Sequence, residues 1–124
     1  MALILSIALG GSLGALSRYF VSRFISNLFG MLFPVGTLAV NLTGSFLVGF
    51  IFVVFDKMII SDEIRVFVIT GFLGAFTTFS TFALENINLF REKEIKQGMI
   101  NILVSNIFGL VFAFVGIYTA GLLF

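Results

Sequence analysis

The chain has 124 residues, of which 60% are hydrophobic and 10% charged, and its formal net charge is +1. A mean hydropathy of +1.21 leaves too little polar surface for a soluble domain of this size, and the small net charge excludes a basic face for nucleic acid. With no cysteine and no histidine, disulfides, thiol chemistry and the usual zinc and haem ligand sets are excluded too.

Long apolar runs read as membrane spans of about 20 residues each. Four of them nearly exhaust the chain. The expectation is one all-α transmembrane domain over residues 1–124, with helices at about 3–24, 35–55, 66–90 and 98–123. The apolar stretch from Met1 to Gly14 has no basic segment before it, and its character continues past any cleavage site. It is therefore expected as a retained helix rather than a signal peptide.

The first helix carries Gly10 and Gly14 four residues apart, a spacing that lets another helix approach closely in lipid. Arg18 lies deep enough that lipid exposure is costly, so it either snorkels or faces a wet cavity. Pro34, the only proline, stands near the start of the second helix, where its missing N–H costs little. On that helix Thr37, Asn41 and Ser45 recur every four residues and form one polar stripe. Such a stripe serves hydrogen bonding between helices or the lining of a pore.

The third helix contains the most unusual stretch of the chain, Gly71 to Phe82. Two glycines, four hydroxyl residues and four phenylalanines occur within its twelve positions. Gly71, Gly74 and the pair Thr77-Thr78 suit an unbroken helix poorly, and irregular backbone at membrane depth is tolerated only beside protein or a water-filled cavity. A broken third helix at the functional centre is expected. Beyond the break Phe79 and Phe82 share a face, and Glu85 follows one turn later.

The segment Arg91-Glu92-Lys93-Glu94 with Lys96 reads as a solvated connection. The fourth helix then presents Gly98, Asn101, Ser105 and Gly109 on one face, with Asn106 beside it, as a second polar stripe. The first and third connections carry Arg18, Arg23, Arg91, Lys93 and Lys96, against Lys57 and Arg65 for the second. This bias places the first and third connections weakly on the cytoplasmic side. A small bias is also what a chain inserting in both orientations shows. Four short helices with exposed polar stripes need cover, so oligomerisation is expected. An antiparallel pair gives the inverted symmetry common among transport proteins.

These residues bring a family into view. Gly10-Gly11-Ser12-Leu13-Gly14 with Ser17-Arg18-Tyr19, then Pro34-Val35-Gly36-Thr37-Leu38 running into Asn41-Leu42-Thr43-Gly44-Ser45, and Gly71-Phe72-Leu73-Gly74 leading into Thr77-Thr78-Phe79-Ser80-Thr81-Phe82, resemble the small bacterial fluoride channels of the Fluc or CrcB family in order, spacing and total length. The resemblance implies an antiparallel, dual-topology homodimer in the bacterial plasma membrane with two parallel fluoride pores. It implies a structural Na+ at the dimer centre, held by the backbone carbonyls of Gly74 and Thr77. It also implies that Phe79, Phe82, Asn41 and Arg18 belong to the fluoride pathway, with Glu85 at the family's acidic position. One departure lies on the fourth helix. Some members carry a tyrosine and spaced hydroxyls there, where this chain has Asn101, Ser105 and Gly109.

Fluoride is small and strongly hydrated, so its water must be replaced by donors. The Asn41 amide and the hydroxyls of Thr37, Ser80, Thr81 and Ser105 are the candidates. A phenylalanine ring is positive at its edge, so Phe79 and Phe82 held edge-on could stabilise an anion without trapping it. Two alternatives are a small multidrug-type transporter and a non-transporting membrane scaffold. The first needs an acid in the first helix, which has none. The second leaves the two polar stripes and the break without a purpose. No nucleophile, acid–base pair or metal set suggests an enzyme.

Overall fold

The computed structural model describes residues 1–124. It is all-helical, and four stretches are long and apolar enough to cross a membrane: Ala2–Phe29, Val35–Asp56, Asp62–Arg91 and Ile95–Leu123. Only 17 of the 124 residues are buried, and most large apolar side chains point outward. In water such a surface would collapse; in a bilayer it is the solvated face. The chain is a multi-pass membrane protein.

The first and second spans are single helices, α1 (Ala2–Phe29) and α2 (Val35–Asp56). α1 extends five residues beyond the expected end, so Ser26 and Asn27 are helical rather than loop. Gly30 ends it in the left-handed conformation, at φ 58°, with its N–H on the Ser26 carbonyl. That is the usual glycine solution to a helix C-terminus. Pro34 precedes α2 as its N-cap.

The third span is built from pieces. A short α3 (Asp62–Arg65) starts under a Ser61 cap, whose side chain accepts the Ile64 N–H at 3.3 Å. It continues as a π-helical segment, Val66–Leu73, and one α-turn, α4 (Gly74–Phe76). Thr77 and Thr78 are then extended, and α5 (Phe79–Arg91) completes the span. The irregular backbone is narrower than the sequence suggested. Gly71 and Gly74 are helical, and only the threonine pair leaves the helix. Gly71 is small for another reason: an added Cβ would lie 2.9 Å from the Ile7 carbonyl oxygen and 3.0 Å from Gly10 Cα. The fourth span, α6 (Ile95–Leu123), begins three residues earlier than expected.

Packing explains what the interruption does. α6 lies along α2 in the most extensive interface of the fold. Gly49 faces the Ala113 carbonyl there, and Gly116 faces the Phe46 carbonyl. The π segment and α4 pack on α1, where Gly10 and Gly14 admit the backbones of Phe67 and Phe72. α5 packs instead on α6. The third span therefore starts against one neighbour and finishes against another, and the two extended residues make the change of direction beside α2.

Two polar clasps fix the ends. The Arg65 guanidinium donates to the Phe55 carbonyl at 3.5 Å and lies over the Phe55 ring, holding the end of α2 to the start of the third span. Between α5 and α6, Asn101 donates to the Asn86 side-chain oxygen at 2.8 Å and accepts from Ser105 at 3.1 Å. Asn86 and Asn101 are both buried. Replacing Asn101 with alanine strands the Asn86 oxygen without its donor, which should cost about 1–3 kcal/mol. Thermal unfolding in detergent checks this, and the Asn86→Ala/Asn101→Ala double variant should lose less than the two single losses combined.

Candidate functional site

The break is held from three sides. From α2, the Asn41 side chain meets the backbone of Thr78 twice: its Nδ2 donates to the Thr78 carbonyl at 3.1 Å, and its Oδ1 accepts the Thr78 N–H at 2.8 Å. From α1, Arg18 Nε donates to the Ala75 carbonyl at 3.0 Å. From within, the Thr77 hydroxyl and N–H both turn back to the Leu73 carbonyl at 3.1 Å. The Thr78 hydroxyl caps α5 by accepting the Thr81 N–H at 3.2 Å. The Thr78 and Thr81 amides that the interruption frees are thus taken by side-chain oxygens, which spares them the cost of an unpaired N–H in hydrocarbon.

A cavity of about 360 Å³ opens beside this junction. α2 contributes Asn41 and Ser45, the third span contributes Thr77, Thr78, Phe79 and Phe82, and α6 contributes Ser105 and Asn106. No charged side chain lines it. The Phe79 and Phe82 ring centroids are 5.6 Å apart with planes inclined at 49°. Phe82 is 8% exposed, whereas Phe79 is 76% exposed on the surface of the single chain. The two rings therefore differ in support, one packed in the core and one standing at an open side. Gly44 also lines the cavity, and an added Cβ would fall on the Thr77 methyl group, so a larger residue there must displace the Thr77 side chain.

The other expected site residues lie elsewhere. Ser80 and Thr81 turn towards the Thr78 hydroxyl, at 3.4 and 3.1 Å. Arg18 is committed to the Ala75 carbonyl. Thr37, buried on α2, donates to Glu85 Oε2 at 3.0 Å. Glu85 Oε1 is buried with no hydrogen-bond partner. Glu85 lines a second cavity of about 260 Å³, together with Ser26, Asn88 and Glu92, at the end where α1 and α5 finish. The proposed pathway residues thus form a central group around Asn41 and an end group around Glu85.

Asn86 was not apparent as a partner of Asn101. A polar residue in an apolar helix was visible in the sequence, but which helix it faces depends on the turn taken at Thr77 and Thr78. Ser45 and Asn106, known from the stripes, join the central cavity.

A membrane bundle with a neutral, amide- and hydroxyl-bearing cavity beside an interrupted helix has the form of a small-ion pathway. Comparison with known proteins is specific on this point. Residues 5–117 match the family described as CrcB-like protein, Camphor Resistance (CrcB), and the chain belongs to that family. It is 48% identical over 117 residues to the fluoride-specific ion channel FluC of Legionella pneumophila, covering 94% of this chain and 87% of that protein. It is 41% identical to the protein of the same description from Aquifex aeolicus, covering 94% of each. It is 52% identical over 100 residues to that of Hahella chejuensis, covering 80% of this chain and 79% of the relative.

Proposed function

We propose that the chain is the pore-forming subunit of a fluoride-selective channel that lowers cytoplasmic fluoride by passive efflux across the bacterial plasma membrane. The observation that carries this reading is the central cavity, where neutral donors and two phenylalanine rings converge without a charged residue. The described activity of its relatives supports the same ion. Asn41 keeps one Nδ2 hydrogen beyond the one given to Thr78, and the Ser105 hydroxyl across the cavity on α6 becomes a second donor when it turns from the Asn101 oxygen. These donors replace part of the hydration shell of a small anion. The electropositive edges of Phe79 and Phe82 add attraction of modest depth. A shallow site favours passage, because a conducted ion must leave as well as enter. Thr37 and Glu85 belong to the mouth of the path.

The working unit is an antiparallel homodimer with both orientations in the membrane. Gly74 and Phe79 lie exposed on the open side of the single chain, where a second copy would cover them. A structural Na+ fits the donor set at the break. The Gly74 and Thr77 carbonyls are neutral oxygens, and neither receives the amide four residues onward that an intact helix supplies. When bound, the ion supplies a fixed positive charge between two opened helices. Bacteria lacking their own fluoride export should, on expressing this chain, grow at fluoride concentrations that stop the empty-vector strain. Growth equal to the vector, with the protein present in the membrane, contradicts the reading.

A further inference from the structure

We propose that Asn41 and the Thr78 hydroxyl are positioning residues for the cation site, each taking one amide out of the helical ladder and so leaving one carbonyl open. The inference rests on the reading of Gly74 and Thr77 as cation ligands. In an uninterrupted helix the Gly74 carbonyl accepts from the Thr78 N–H, and the Thr77 carbonyl from the Thr81 N–H. Neither bond forms here. The Thr78 N–H goes to Asn41 Oδ1 at 2.8 Å, and the Thr81 N–H goes to Thr78 Oγ1 at 3.2 Å. The amides are satisfied by side chains, and the carbonyls are left over.

This division matters at membrane depth. A freed amide proton in hydrocarbon is costly and of no use to a cation, whereas a freed carbonyl is a ligand. Asn41 treats Thr78 as a neighbouring strand would, giving one donor and one acceptor to its extended backbone at φ −148° and ψ 118°. Three residues along the same helix, Gly44 leaves room for the Thr77 methyl. Both residues of the break are thus seated by α2, which also forms one wall of the anion cavity. The anion path and the cation site share one side chain, Asn41. A change there should be felt at both.

Thermal unfolding of the purified protein in detergent, with sodium exchanged for N-methyl-D-glucamine, tests the inference without relying on flux. The native melting temperature should rise with sodium to a plateau. Thr78→Val keeps the shape and loses the acceptor, and should raise the sodium midpoint about tenfold, the scale of one lost backbone hydrogen bond. Thr78→Ser should restore the native midpoint. Asn41→Ala should raise the midpoint similarly, while Asn41→Asp, which keeps an acceptor for the Thr78 N–H, should respond to sodium nearly as the native protein does even where fluoride flux is lost. Native midpoints in Thr78→Val and Asn41→Ala would overturn the proposal. If Asn41→Ala fails to fold, the valine and serine pair decides alone. A native protein indifferent to sodium defeats the cation-site reading itself, and the positioning roles with it.

Discussion

Isoleucine at both Phe79 and Phe82 is expected to slow fluoride passage by about 100-fold, and either single replacement by about tenfold. The reasoning is electrostatic. An aromatic edge presents positive potential and an aliphatic chain presents none, so a contact of about 1–1.5 kcal/mol disappears with each ring. The rings stand 5.6 Å apart beside the one cavity that also holds Asn41 and Ser105. Their different burial separates pathway from packing. Phe82 is 8% exposed, so isoleucine there also leaves a small void, whereas Phe79 at 76% exposure supports little of the single-chain core. Isoleucine also keeps an apolar surface where a second copy would cover position 79, so gel filtration and melting temperature should be near native for Phe79→Ile, with flux still reduced. Native flux in both single variants would return the rings to a packing role.

Alanine at Gly116 should destabilise the bundle by about 3 kcal/mol, the upper range for forced overpacking. Its Cβ would fall on the Phe46 carbonyl and lie 2.9 Å from the Phe50 nitrogen. These are backbone atoms of the facing helix and cannot rotate away. Gly49 meets Ala113 in the same manner from the other side, so both helices approach at glycine. Gly121 is the control on the same helix. Nothing lies within 4 Å of its added Cβ, so Gly121→Ala should be neutral or slightly stabilising by helix propensity. Unfolding in detergent compares the two directly. Equal stabilities would show that the α2–α6 contact is looser than its geometry.

The four spans were legible because apolar runs of membrane length dominate this composition. Gly10 and Gly14 were recognisable as a close-packing pair, although only the fold shows that the third span is what they admit. Boundaries were less legible. The sequence pattern could not show that α1 persists to Phe29, since Ser26 and Asn27 look like loop residues until the Gly30 turn is seen behind them. The stretch from Gly71 to Phe82 announced irregularity, yet its glycines and threonines do different things. Gly71 serves contact with α1, and the departure from helix is confined to Thr77 and Thr78. The stripe through Thr37, Asn41 and Ser45 was one feature in sequence and is three in space: a partner for Glu85, a clasp on the break, and a cavity wall. Periodicity reports which residues share a face. It does not report what stands opposite, and for Asn86 and Asn101 that was the whole of the information.

The central claim is fluoride-selective passage through this chain, and efflux from proteoliposomes tests it most directly. Vesicles loaded with fluoride or chloride and held under a potassium gradient with valinomycin should release fluoride rapidly once the protein is present, while chloride stays inside. Fluoride release no faster than from protein-free vesicles, with folded protein in the membrane, or equal release of both anions, would contradict it.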